Sequence, residues 1–500
     1  MKLTAIVVAA LLSAAPATAA PADWVERNRV GILTDYVELL KIPNVASNIP
    51  DIRRNADHIM AMMAKRGLKP RLLEGNSTNV PPAIYGEWLV PGATRSLVLY
   101  AHYDGQPVTP EDWKSTAPFE PRFYSDRLDR GGKPLPMPIS GTTINPDWRI
   151  YGRAASDDKL GVMALLSAVD ALKAEGKRPA FNLKIFLEGE EEAGSPNLAA
   201  LLDKHGGALK SDGWVIFDGP AHPSGRPQAV LGARGVVGVN VTIHGPLRPL
   251  HSGHYGNWAP NPALMLAQLL ASMKDPEGKI LVAGWDDDVV ALTAAEQAAV
   301  AAVPSPDGDV KRDLGLARNE GGARLLAEAI QSPSLNIGGI RAADVGDKAR
   351  NVIPSTAAAY LDLRLVKGND HRRQVAKLVR HIGAQGFTVL ERDPTVEERR
   401  RFPRIATVVA GPGYNAERTA LDAPLAASVI AALRARGAAV VLPTMGGSLP
   451  LYLLREQLGV DSVTLSLANH DNNQHAEDEN LRLGNLWQAI EIAAAVMQMR

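Results

Sequence analysis

The chain has 500 residues, with 54 basic and 54 acidic side chains and therefore zero net charge. Apolar residues make up 46% and charged residues 22%, an ordinary globular balance with length for two or three compact units. That balance lacks the basic excess of a nucleic-acid-binding protein and offers no pull toward anionic membranes. There is no cysteine, so a disulfide framework and a thiolate metal site are excluded, and any metal must be held by His, Asp and Glu.

Residues 1–20 predict a secretory signal, with Lys2 ahead of a short apolar run, Leu3 to Leu12, and a small-x-small pattern at Ala17-Thr-Ala19. The run is too short to span a bilayer, so the expectation is a periplasmic or secreted protein with no membrane anchor after cleavage. Trp24, Val25, Ile32, Tyr36, Leu39 and Leu40 recur at helical spacing within 24–45, a segment ended by Pro43. A second helix is predicted over 52–66, stopped at Gly67. Ser96 to Ala101 reads as a buried strand, followed at once by His102, Tyr103 and Asp104. Residues 121–148 are rich in Pro and Gly and predict a long loop. A helix over 160–174 and strands over 182–188 and 213–218 complete an alternating pattern that predicts a doubly wound α/β domain.

The rhythm changes near 230. A strand over 236–244, a helix over 262–273 and a polar acidic region at 285–330 come first. Strands at 335–340 and 356–366, a helix at 370–383 and a strand at 387–391 follow, and together they predict a smaller inserted α+β module. The predicted organisation is a signal at 1–20, the α/β domain at 21–229 and 401–500, and the insertion at 230–400. The last part carries a helix over 424–436, strands at 438–442 and 462–467, and a final helix over 483–499.

Glu190, Glu191 and Glu192 directly follow the apolar run Leu183 to Leu187, an expensive place for three like charges unless a cation accompanies them. His102 and Asp104, Asp157 and Asp158, Asp218, and His475 also follow predicted strands. Each alone reads more simply as a structural His or as a capping or turn Asp. Convergence on the carboxyl edge of one open sheet points instead to a metal site, whose O and N donors suit zinc, or less specifically cobalt or manganese.

His102-Tyr-Asp104-Gly-Gln-Pro107, Tyr151-Gly-Arg-Ala-Ala-Ser-Asp157-Asp-Lys159, Glu188-Gly-Glu-Glu191-Glu192-Ala-Gly-Ser195, Leu250-His251-Ser-Gly253, Gly446-Gly-Ser-Leu-Pro450 and His475-Ala-Glu-Asp-Glu479 occur in that order. With these motifs the chain resembles, from about residue 30 to its end, the dizinc metallopeptidases that include carnosine dipeptidase, glutamate carboxypeptidase, aminoacylase and succinyl-diaminopimelate desuccinylase. His-Tyr-Asp and Gly-Gly-Ser-Leu-Pro are most similar to the dipeptidase branch. The resemblance implies a catalytic α/β domain, an inserted lid and dimerisation domain, and two Zn2+ per protomer, with Co2+ or Mn2+ as substitutes. It implies that Asp157 bridges the metals, that His102 and Asp218 complete one, and that Glu192 and His475 complete the other. Asp104 would orient His102. Glu191 would act as general base, and Glu190 would stand by in solvent. His251 would come from a homodimer partner to stabilise the oxyanion. Arg364, with Gly447 and Ser448, would bind the substrate's free carboxylate; Asn351 is a weaker candidate.

The implied activity is exopeptidase hydrolysis of dipeptides or short peptides, with N-acyl amino acid deacylation as the alternative on the same site. A non-catalytic metal-binding homologue would be expected to lack a ligand or the base, and none is missing here. Departures at Gly105, Ala154, Leu160-Gly161, Met445 and the long 125–148 stretch leave the substrate's side chains open. His205, His222, His244, His254, His371, His381 and His470 match no motif.

Overall fold

The computed structural model describes residues 21–500, so the predicted signal segment lies outside the described residues. An eight-stranded sheet organises the chain, in the order Arg71–Leu73, Ala83–Trp88, Asn182–Glu188, Ser96–His102, Trp214–Phe217, Ser462–Ser466, Gln228–Val230 and Val440–Leu442. Its four central strands, Asn182–Glu188 through Ser462–Ser466, run parallel. Alternation along each strand serves two cores. Leu183, Ile185 and Leu187 join Leu97, Leu99, Val215 and Leu465 beneath helices Pro21–Leu40, Lys159–Ala174 and Leu483–Met497. Phe186, Val98, Tyr100 and Trp214 face the other way, under Leu198–Leu209 and Tyr452–Leu458. Burying each such side chain is worth about 1.5–3 kcal/mol, so these strands are anchored on both faces and their ends are held in place. This is the predicted doubly wound α/β domain.

A second, five-stranded sheet runs Ser334–Arg341, Thr356–Leu365, Gly235–His244, Ile405–Tyr414, Thr388–Leu390, with helices Pro262–Met273 and His371–Ala384 buried against it. The predicted boundary at 400/401 falls too early. Strand Ile405–Tyr414 pairs along almost all of Gly235–His244, so the second sheet continues past it. Periodicity alone cannot reveal which sheet a strand joins, because both sheets bury apolar strands. The acidic region at 285–330 also folds back. Its helices Ala294–Ala301 and Leu326–Ala329 bring Val303 and Ala327 against Val230, Val440 and Leu442 at the edge of the large sheet.

The predicted loop at 121–148 is partly ordered by pairing. Arg122–Tyr124, Pro134–Leu135, Arg149–Tyr151 and Asn480–Arg482 form a small sheet beside the main one. These strands are two or three residues long, too short to show a period. Among the described residues, no helix is long and apolar enough to cross a membrane.

Candidate metal centre

The parallel strands deliver their carboxyl ends to one edge of the sheet, and the polar residues gather there. His102 ends its strand and is fully buried. Asp218 follows Trp214–Phe217, and Glu191 and Glu192 form the turn after Asn182–Glu188. Asp157 lies on the loop leading into helix Lys159–Ala174, and His475 on the loop after Ser462–Ser466. Asp157 stands between the two imidazoles: Oδ1 is 3.0 Å from His102 Nε2 and Oδ2 is 3.1 Å from His475 Nε2. His475 Nε2 is also 3.1 Å from Glu192 Oε2. Asp218 shares a second cluster with His102, all donor atoms lying within 4.8 Å of one another. Asp158 belongs to that cluster as well, but its carboxylate is engaged with backbone. One oxygen accepts from Gly161 N and caps the helix, and the other accepts from His102 N.

The electrostatics describe a site short of positive charge. Burial, with Asp157 beside it, pushes Asp218 up to about 7. Burial likewise drives Glu191 well above the usual carboxylate range, despite the opposing pull of His102. Hydrogen bonds to Asp157 and Glu192 raise His475 to about 10. Burial works against ionisation of Asp157, yet the two imidazoles outweigh it and hold its carboxylate ionised. Each imidazole is drawn toward its protonated form by the carboxylates around it. Divalent ions held by the same atoms would serve better, because imidazole and carboxylate are both their ligands and the like charges would be neutralised. The donor set therefore fits a metal pair: Asp157 has one oxygen facing each group of ligands.

Four residues support this arrangement: sequence reasoning expected Asp104 beside His102, gave no role to Gln106 or Glu479, and misjudged Glu190. Asp104 is the clearest. Its Oδ1 lies 3.3 Å from His102 Nδ1, and its two oxygens accept from Glu191 N at 3.1 Å and Glu192 N at 3.0 Å. Besides facing the imidazole, it fixes the turn that presents both glutamates. Gln106 donates to Glu192 Oε2 at 2.8 Å. Glu479, fully buried, accepts from the backbone N–H groups of Ala154, Ser156 and Asp157 and pairs with Arg153. Gln106 and Glu479 both sit inside the quoted motifs, which was the available signal. Glu190 corrects an expectation. It is 3% exposed rather than solvated, because its carboxylate accepts from Asn197 N and Nδ2 at the start of helix Leu198–Leu209.

Beside the cluster opens a cavity of about 560 Å³ lined by Asp157, Glu191, Asp218 and His475 together with Arg364, Gly447 and Ser448. Arg364 comes from strand Thr356–Leu365 of the second sheet and donates from Nη1 to Ser448 Oγ at 2.8 Å. Its Nε is 3.1 Å from Asp362 Oδ2, which orients the guanidinium.

A family model for peptidase family M20/M25/M40 matches residues 98–499, a span that includes every one of these residues. The chain belongs to that family. It is 25% identical to a Cys-Gly metallodipeptidase of Schizosaccharomyces pombe over 94% of this chain and 95% of the relative. It is 29% identical to human Beta-Ala-His dipeptidase over 64% of this chain and 60% of that protein. Among solved structures, an M20 family metallo-carboxypeptidase of Sulfolobus solfataricus superposes with a TM-score of 0.74 at 27% identity, covering 94% of this chain and 98% of the other.

Within this M20-family chain, two sequence candidates stand apart from the cavity. His251 is exposed at the start of Ser252–Tyr255 on the second domain, where its Nδ1 accepts from Gly253 N at 3.0 Å and its ring lies 4.6 Å from that of His254. It does not line the cavity of its own chain. Asn351 is exposed, and its carbonyl accepts from Ser252 N beside His251. Of the histidines without a motif, His244 is buried against Thr407 and Arg399, and His371 bonds to Asn415; neither lines the cavity.

Proposed function

We propose that this chain is a dipeptidase that uses two divalent metal ions, zinc by its donor set, and cleaves the amide next to a free carboxylate. The observation that carries this reading is that Asp157, which stands between His102 and His475, lines one cavity with His475, Glu191 and the Arg364–Ser448 pair. Asp157 would bridge, His102 and Asp218 would hold one ion, and Glu192 and His475 the other. The chemistry that ions held there would supply is polarisation of the scissile carbonyl and a lowered pKa for the attacking water. Glu191 takes a proton from the attacking water and returns it to the departing amine. Its depth in the site keeps the carboxylate poorly solvated and thus basic enough to do so. Asp104, by holding Glu191 N and Glu192 N, keeps the base and the ligand in fixed relation. Arg364 offers a two-pronged donor to the substrate's carboxylate, with Ser448 and the backbone at Gly447 alongside.

The protein would act as a homodimer, with His251 reaching the partner's cavity to stabilise the oxyanion. Exposed apolar side chains on the same domain support this, among them Trp258 at 78%, Ile340 at 64% and Val345 at 86% exposure. Export to a periplasm or the medium is proposed on the Met1–Ala20 pattern.

A panel of dipeptides and N-acyl amino acids, assayed with and without added zinc, tests the reading. Metal-dependent release of free amino acids from dipeptides is expected, and Glu191→Gln should lower kcat by roughly 10²–10⁴-fold in a protein that still folds and binds metal. Turnover of N-acyl amino acids alone would make the chain a deacylase instead. An active Glu191→Gln variant would remove Glu191 from the proton-transfer role.

A further inference from the structure

The cavity contains polar groups that the hydrolysis itself does not use. Beyond Asp218 the large sheet continues with Ser462–Ser466, Gln228–Val230 and Val440–Leu442. Phe217, which precedes Asp218, pairs with Leu465, and Ser466 pairs with Gln228. Strand Gln228–Val230 runs antiparallel to Ser462–Ser466, so its first residue lies at the edge where the other strand ends. With strands about 4.8 Å apart, Ser466 is one strand and Gln228 two strands from the Asp218 position. The side chains form a row leading from the metal ligands toward the sheet edge, and all of them line the same cavity.

Gln228 is 8% and Ser466 3% exposed, and Gln228 Nε2 donates to Ser466 Oγ at 3.3 Å. Among the described residues no donor reaches Gln228 Oε1, although that oxygen is not sealed from the cavity. Turning the amide over would merely exchange which of its atoms faces the opening. Gly219, at φ 86°, lies next to the hydroxyl: a Cβ there would stand in ordinary contact, 3.6 Å from Ser466 Oγ. Around this pair the lining is apolar, with Pro220, Leu442 and Met445. A ligand that enters the cavity and displaces water from that oxygen must replace the lost hydrogen bond or leave the amide half-satisfied.

Arg364 and Ser448 occupy the part of the lining that comes from the second sheet and the 446–450 loop, where the substrate's carboxylate would be gripped. The row beyond Asp218 is left for the residue on the acyl side of the scissile bond. We propose that Gln228 and Ser466 are specificity-determining residues that select a neutral hydrogen-bonding side chain on the N-terminal residue of the dipeptide over an aliphatic side chain of the same shape. This rests on the dipeptidase reading above. A pocket that must complete a buried amide rejects an isostere lacking the polar group far more strongly than an apolar pocket rejects one extra methylene.

The test compares kcat/KM for the isosteric pairs Thr-Gly against Val-Gly and Asn-Gly against Leu-Gly, on the zinc-loaded full-length protein. The polar member should be favoured by roughly tenfold or more in each pair. In Gln228→Leu the ratio should fall to about one or invert, and in Ser466→Ala it should fall part of the way. Ratios near one in the unaltered protein, or ratios unchanged by Gln228→Leu, would overturn the assignment; the first of these needs no variant to fold. A preference that follows the second residue instead, seen as Gly-Thr over Gly-Val, would overturn it too. Dipeptide turnover with equal ratios defeats this inference alone, whereas no dipeptide turnover at all defeats the dipeptidase reading and this inference with it.

Discussion

Replacing Glu479 should do more damage than replacing most residues nearer the cavity. Its carboxylate is 0% exposed and accepts from Ala154 N at 2.9 Å, Ser156 N at 2.8 Å, Asp157 N at 3.0 Å and Ser156 Oγ at 2.8 Å. It also pairs at 2.9 Å with Arg153, which is itself 2% exposed. Glu479→Ala leaves a buried guanidinium without its partner, a change that costs about 3–5 kcal/mol. Each backbone N–H left bare adds about 1–3 kcal/mol, less whatever water entering the vacated space restores. A net loss of about 5 kcal/mol, over an unfolding entropy near 0.6 kcal/mol per kelvin for a unit of about 300 residues, lowers Tm by about 8 °C. Those N–H groups belong to the loop that carries Asp157, so metal affinity should fall by about 10–100-fold as well. Glu479→Gln retains one oxygen for the loop and should lie between the two. Scanning calorimetry of the metal-free proteins and calorimetric titration with zinc measure both effects. A Glu479→Ala protein that melted within about 1 °C of the parent, or bound zinc as tightly, would refute the reasoning.

Other expectations follow from the same geometry. Arg364→Lys keeps the charge but loses the fork, so KM for dipeptides should rise about tenfold with little change in kcat, and an unchanged KM would argue against carboxylate recognition there. Removing metal with a chelator should lower Tm, and zinc at about 1,000 times its dissociation constant should restore about 4 kcal/mol; a Tm indifferent to both would contradict the metal centre. Asp471 resists ionisation through burial, yet hydrogen bonds from Arg149 and Asn469 more than reverse this and hold its folded pKa below the usual range. Its contribution is therefore fully present above the unfolded value near 3.9 and is lost as pH falls through the lower folded value. Asp471→Asn should cost about 2–3 kcal/mol at neutral pH, and the Tm gap to the parent should narrow only below about pH 4; a gap that stayed constant down to pH 3 would refute the assignment.

What was legible in the sequence was what is local. Apolar runs such as Leu183 to Leu187 announced their strands, and the polar residue after each run marked a strand end. Motif order then named ligand candidates that the fold brings within hydrogen-bonding distance: His102, Asp157, Glu192 and His475 come from four separate parts of the chain. Illegible were pairings whose partners are far apart in sequence. Nothing near 405 signals that Ile405–Tyr414 will lie against Gly235–His244, and nothing near 479 signals that its carboxylate will hold the loop at 154–157. Glu190 shows the same limit, since only the position of Asn197 decides that it is buried.

The sequence by itself determined the fold class, the family motifs and the residue types available to hold metal, because each of these depends on composition and on spacing along the chain. Tertiary structure alone decided which charges share a space. It set Asp157 between two imidazoles, put Asp104 under the turn of Glu191 and Glu192, and placed Gln228 beside Ser466 in a cavity whose other wall carries Arg364. The physical reason is that electrostatic and hydrogen-bond energies depend on distance through space, and in a sheet whose strand order departs from chain order that distance cannot be counted in residues.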